Sequence, residues 1–191
     1  MSLVGKICLY IKNLTINDAM QFNYVKKENL LTQISLMAVM TALVAVGTFI
    51  MRIPNPMGGY FNVGDVMVFV AALTFNPIVG GFAGGVGSAI ADMIGFPIFA
   101  IPTLIIKSLE GFLAGMITNK KSIFRDVVAV VVAGGEMIIG YFLVELYPLG
   151  WGLGGALTEL PGNIAQIFVG GLLGIPIAII LRRNLPKILK S

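Results

Sequence analysis

The stretch Pro102-Thr-Leu-Ile-Ile-Lys107-Ser-Leu-Glu110-Gly-Phe-Leu-Ala-Gly-Met116 decides the fold class. It is apolar enough to sit in lipid, except for a lysine and a glutamate one helical turn apart. Ionisable groups inside a membrane are expensive, and they mark a binding site or transport path by facing a cavity or a partner. The bland alternative is a structural pair, Lys107 and Glu110 neutralising each other at i,i+3 between packed helices. Composition points the same way. Of the 191 residues, 57% are hydrophobic and 12% are charged, with a mean hydropathy of +0.94. A soluble domain carries about 25% charged residues, so the chain reads as an all-α integral membrane protein.

Outward from that segment, hydropathy and turn residues give six spans. They cover residues 29–51, 65–75, 77–94, 102–118, 124–147 and 160–181. Asn76-Pro77 separates the second from the third, with the proline opening a helix. Pro148 stops the fifth, and Arg182-Arg183 follows the sixth. The second span is shorter than the roughly 20 residues a helix needs to cross, so it reads as tilted or partly interfacial. Lys26 and Lys27, then Lys120, Lys121 and Arg125, then Arg182, Arg183, Lys187 and Lys190 all fall on one side of a six-span bundle. The opposite loops carry only Arg52. The positive-inside rule puts those nine residues, and both termini, in the cytoplasm. The net charge of +4 is therefore topological, and no nucleic acid partner is expected. The membrane domain is residues 26–191. Residues 1–25 form a peripheral or dispensable extension, in which Leu3, Ile7, Tyr10, Ile11 and Leu14 recur at helical spacing.

Several chemistries are excluded. The lone Cys8 cannot close an internal disulfide, and histidine is absent. That removes the usual general base and the commonest metal ligand; no metal site is expected. There is no phosphate-binding loop ending in Gly-Lys-Ser/Thr, so no ATPase motif of the chain's own is seen. The glycine run Gly80-Gly81-Phe-Ala-Gly84-Gly85-Val-Gly87 gives small-xxx-small pairs, as do Gly111/Gly115 and Gly170/Gly174; their role is close helix packing. Ser88 has no nucleophile elbow and no histidine to activate it, so an enzyme is not expected.

The polar residues concentrate in the outer half of the bundle. Asp65 opens the second span, and Asp92 lies one turn below the outer end of the third. Lys107 and Glu110 lie below the outer end of the fourth, and Asn163 and Gln166 just inside the sixth. Glu145, Tyr147, Trp151 and Glu159 cluster around the last outer loop, while Glu136 is nearest mid-membrane. The inner half is almost purely apolar. An outward-opening pocket, closed on the cytoplasmic side, fits this asymmetry better than a continuous pore. Aromatic surface with a few fixed polar groups suits a small planar ring compound.

The chain resembles the substrate-binding S component of an energy-coupling factor (ECF) transporter over residues 26–183. The resemblance rests on Asn62-Val-Gly64-Asp65, on Asn76-Pro77 with the glycine run, on Ser88-Ala-Ile-Ala-Asp92 and on Lys107-Ser-Leu-Glu110-Gly111. It is greatest to the subgroup associated with hydroxymethylpyrimidine and related ring vitamins. It implies a prokaryotic multi-pass cell-membrane protein that captures a vitamin or precursor such as a thiamine-related pyrimidine, pyridoxine or riboflavin. Partners would be a transmembrane coupling subunit and two cytoplasmic ATPase subunits, which use the ATP, besides membrane lipid. Ala38, Ala42 and Ala45 match the small-residue pattern through which such proteins dock on the coupling subunit. The segment from Arg52 to Gly64 would be the lid. Lys107, Glu110 and Asn163 would line the pocket, with Gln166, Asp92, Asn62, Tyr141 and Trp151 beside them. The competing readings are a self-sufficient secondary carrier or channel using Glu136 or Glu110, and a purely structural subunit held by Lys107–Glu110.

Overall fold

The computed structural model describes residues 30–54 and 59–185; the N-terminal extension lies outside them. The chain divides into two units, Met1–Ser35 and Leu36–Ser191. Of the first, residues 30–35 are described, a helical segment in which Ser35 Oγ donates to the Leu31 carbonyl at 2.9 Å. The helices are α1 (Leu30–Ile50), α2 (Gly64–Thr74), α3 (Pro77–Gly95), α4 (Ala100–Ile117), α5 (Ile123–Leu146) and α6 (Gly152–Asn184). A 3₁₀ turn, Pro97–Phe99, leads into α4. Between α1 and α2 a short antiparallel hairpin pairs β1 (Ile53–Pro54) with β2 (Tyr60–Phe61), Ile53 opposite Phe61. Among the described residues, five helices are long and apolar enough to cross a membrane; α2, at eleven residues, is the short sixth.

The short helix is the centre of the bundle and not an interfacial one. Ten of its eleven residues are buried. Its apolar residues run all the way round, the pattern of a helix enclosed on every side. Val66, Val68, Val70 and Ala71 join Met40, Val44 and Val79 in one core cluster, while Phe69, Ala72 and Leu73 join Ala114, Ala129, Val130 and Ala133 in another. At about 16 Å, α2 spans half the hydrocarbon thickness, and it needs no lipid contact because α3, α4 and α6 pack around it. Asn76 then turns the chain: its side-chain oxygen accepts from the Val79 amide at 2.9 Å, and Pro77 takes the first position of α3, where a missing N–H costs nothing.

Glycines on both helices, Gly80, Gly84 and Gly85 of α3 and Gly111 and Gly115 of α4, set how near α3 and α4 approach. A Cβ on Gly111 would lie 2.2 Å from the Gly80 carbonyl oxygen, and one on Gly84 would lie 2.6 Å from the Lys107 carbonyl. The helix backbones touch there, as small residues permit in a bilayer. This contact brings Lys107 over α2.

The start of α6 differs from its expected position. The helix begins at Gly152, eight residues before residue 160, and takes Pro161 and Pro176 into its interior. The chain turns instead at Gly150 and Gly152, whose φ values of 66° and 69° are open to glycine. Transmembrane helices tolerate an internal proline because neighbouring groups re-satisfy the freed carbonyl. Glu159 therefore stands on a helix and not in a loop. It falls on one face with Asn163 and Gln166, at i, i+4 and i+7.

Gly111→Ala is expected to lower stability by about 1–3 kcal/mol through overpacking, read as an earlier thermal unfolding transition in detergent. Gly154→Ala, where a Cβ meets nothing within 4 Å, is expected to be neutral or slightly stabilising by helix propensity.

Candidate binding site

Buried polar side chains lie in two layers. The deeper is an ion cluster. Lys107 Nζ donates to Asp65 Oδ1 at 2.5 Å and to Glu110 Oε2 at 2.8 Å, joining α4 to α2. The three side chains are 3%, 1% and 0% exposed, so water screens none of them. Lys107 Nζ also lies 5.9 Å from the centre of the Tyr141 ring on α5. Asp65 Oδ2, Glu110 Oε1 and Glu136 Oε2 have no hydrogen-bond partner among the described residues. Charges taken from water this completely hold together only when well paired.

One helical turn further out on α4, at Thr103, the second layer begins. A small chamber of about 30 Å³ is lined by Gly59, Tyr60 and Asn62 from the hairpin side, Asp92 from α3, Phe99 from the 3₁₀ turn and Thr103 from the start of α4. Tyr141 and Glu145 from α5 and Glu159, Asn163 and Gln166 from α6 complete it. Thr103 Oγ1 and Tyr141 Oη are 2.9 Å apart, and Gln166 Nε2 donates to Asn163 Oδ1 at 3.1 Å. Glu145 Oε2 and Gln166 Oε1 are buried acceptors without a partner among the described residues. Asp92, Glu145 and Glu159 bring three carboxylates to the wall, and among the described residues no lysine or arginine lines it.

The hairpin is pinned over this chamber by Tyr60. Its ring stacks on Phe96 with centroids 4.3 Å apart, and its hydroxyl donates to Asp92. Burial, reinforced by the Asp92 carboxylate, pushes the phenol well above its ordinary range, so it stays a donor. Arg52 completes the rim. Its Nη2 donates to the Ala91 carbonyl at 2.5 Å, and its guanidinium lies 4.8 Å from the Phe49 ring centre and 5.1 Å from that of Tyr60. The described parts of the expected lid, residues 52–54 and 59–64, thus include a strand pair that is bonded to α3 through Tyr60 and Asp92.

Of the residues expected at the site, Asn62, Asp92, Tyr141, Asn163 and Gln166 line the chamber. Trp151 stands behind it, edge-on to Phe99 at 5.6 Å. Lys107 and Glu110 are not part of the lining; they form the layer beneath. Tyr60, Thr103, Glu145 and Glu159 complete the wall beyond the expected set. Glu159 was detectable from its helical spacing to Asn163 and Gln166, a signal hidden by reading Pro161 as a break. Among the described residues, no group of three or more Cys, Asp or Glu is arranged to hold a metal ion.

Lys107→Met leaves Asp65 and Glu110 buried without their cation. It is expected to cost about 3–5 kcal/mol, measured by unfolding in detergent. Adding Asp65→Asn and Glu110→Gln to it is expected to recover much of that loss.

Comparison with known proteins places this geometry in context. Residues 28–183 match the family model described as ECF-type riboflavin transporter, S component. An uncharacterized protein in the gap 3′ region of Pyrococcus woesei is 42% identical over 149 residues, 77% of this chain and 99% of that protein. The thiamine precursor transporter HmpT of Lactococcus lactis subsp. cremoris (strain MG1363) is 30% identical over 155 residues, 80% of this chain and 89% of the relative. A solved S component of a bacterial ECF transporter superposes with a TM-score of 0.58 at 21% identity, covering 87% of this chain and 99% of that one.

Proposed function

Since the chain belongs to the S-component family of ECF transporters, a family of multi-pass membrane proteins, we propose that it captures an amino-bearing single-ring vitamin precursor from outside the cell. It then hands this ligand to a coupling subunit driven by two ATPases. The observation that carries the ligand reading is the outer chamber, where buried acceptors exceed donors and the cations lie elsewhere. Such a wall favours a guest that brings N–H groups. An aminopyrimidine does so in a single flat ring, and Phe99 and Tyr141 supply aromatic wall to the chamber. The similarity to a thiamine precursor transporter supports the same class. A chamber of about 30 Å³ has room for one water molecule, so any ligand must open it, and a single ring displaces less wall than riboflavin would.

In this reading each layer has a part. Glu145 and Gln166 accept from the ring's amino group, and Asn163 fixes its orientation. Asp92 exchanges its bond to Tyr60 for the ligand when the hairpin lifts. Lys107 and Glu110 form the charged floor that holds α4 in register. ATP acts only in the partner subunits. Ala38 and Ala42 are exposed and Ala45 is half-buried, so α1 offers a low-relief face on which the coupling subunit can dock.

Calorimetry on the purified chain is expected to show hydroxymethylpyrimidine binding more tightly than pyridoxine or riboflavin. Glu145→Gln and Asn163→Ala should each weaken it by about 10- to 100-fold, the range of one lost hydrogen bond to a charged or buried group. Unchanged affinity in both variants rejects the chamber as the site. Ala38→Trp with Ala42→Trp is expected to abolish uptake in cells carrying the coupling module while sparing binding to the isolated chain. Normal co-purification of that variant with the module removes the docking claim.

A further inference from the structure

Away from the chamber, α5 and α6 share a second, unlike pair of features along one seam. The first is an open groove of about 710 Å³ whose wall is wholly apolar, including Val127, Val131 and Ile138 of α5 and Phe168, Leu172 and Pro176 of α6. Val131, Phe168 and Leu172 are 63%, 68% and 60% exposed. From Val127 to Ile138 the groove runs about 16 Å at 1.5 Å per residue. That is one leaflet of a hydrocarbon core about 30 Å thick.

The second feature is a basic pocket of about 340 Å³ at the cytoplasmic ends of the same helices, lined among others by Lys120, Lys121, Arg182 and Arg183. The two features share a register: Ile123 in the pocket is one turn before Val127 in the groove, and Ile179 in the pocket is one turn after Ile175 in the groove. Four cations there face one carboxylate, Asp126. That carboxylate is already engaged, accepting from Thr118 Oγ1 at 2.5 Å and from Arg182 Nη1 at 2.9 Å. Arg182 is held in place by a further bond from Nε to the Leu73 carbonyl at 2.9 Å. Partial burial first, and Arg182 close by second, hold the Lys120 ammonium below its ordinary range. The pocket also sits at the start of α5, whose N-terminal dipole favours negative charge.

We propose that this seam binds one anionic phospholipid of the cytoplasmic leaflet, its phosphate in the Lys120–Lys121–Arg182–Arg183 pocket and one hydrocarbon chain in the α5–α6 groove. The juxtaposition has the proportions of such a molecule, a compact anion site with a leaflet-long apolar channel leading from it. Basic pockets between transmembrane helices on the cytoplasmic side recognise anionic head groups by this chemistry. A protein partner lying on the seam would leave the cation cluster needing an acidic side chain at that one depth, whereas a phospholipid brings its charge there by construction.

The test is native mass spectrometry of the full chain, released from nanodiscs containing phosphatidylglycerol and phosphatidylcholine in equal amounts. One phosphatidylglycerol is expected to remain bound, with at least tenfold preference over phosphatidylcholine. Lys121→Gln with Arg183→Gln, both surface positions, should remove that preference. Gly135→Phe should displace the lipid altogether, because a Cβ at Gly135 meets nothing within 4 Å and the ring fills the groove without strain. Thermal unfolding of each variant in detergent controls for folding. Equal retention of the two lipids overturns the proposal. So does full retention by a folded Gly135→Phe, or protection by inorganic phosphate equal to that by phosphatidylglycerol, which would leave an anion pocket without a chain site. Loss of assembly with the coupling subunit in Gly135→Phe, with lipid retention unchanged, assigns the seam to that subunit and likewise overturns it.

Discussion

A single ammonium group organises the middle of this protein. Lys107 Nζ holds Asp65 of α2 and Glu110 of α4 within 2.8 Å where nothing is exposed to solvent. Removing three charges from water costs several kcal/mol for each ion, and only close pairing offsets this. The cluster therefore tolerates little displacement of α4 against α2. The glycine contact between α3 and α4 serves the same end, since wider spacing there would draw Lys107 away from Asp65. The short α2 is the common partner: too short to reach both membrane surfaces, it is long enough to carry Asp65 at one end and Phe69 and Leu73 into the core below.

Above that floor the polar residues line a small chamber. The chamber wall comes from the hairpin side and from α3, α4, α5 and α6, so closure needs several elements to converge. Among the described residues, the contacts of the hairpin include two strand pairs, an aromatic stack on Phe96, the Arg52 guanidinium 5.1 Å from the Tyr60 ring centre, and the bond from Tyr60 to Asp92. Asp92 also lines the chamber, so the carboxylate that bonds the hairpin is part of its wall.

Much of the fold was legible because lipid imposes strong rules. Segment lengths follow from the bilayer thickness, and the side on which Lys120, Lys121, Arg182 and Arg183 fall follows from charge asymmetry. The helix boundaries at Asn76-Pro77 and at residues 117–123 were readable from caps and turn residues. The start of α6 was not. Proline is a reliable stop in water, but inside a bundle the neighbours supply what it removes, and the positive-φ glycines at Gly150 and Gly152 made the real break. That one boundary concealed Glu159 from the site.

Composition, apolar run lengths and the placement of basic residues determined by themselves that this is a six-helix membrane protein with an outer polar zone. Each of those properties depends on the chain's local chemistry meeting a solvent of known thickness and polarity. Only the tertiary structure decided which polar residues share a space. Lys107, already paired with Glu110 three residues on, is also claimed by Asp65 from forty-two positions away, while Asp92, Tyr141, Asn163 and Gln166 converge on the chamber from three other helices. Such pairings depend on helix rotation and on approach distances set by glycines across an interface, and no spacing along a single strand of sequence encodes them.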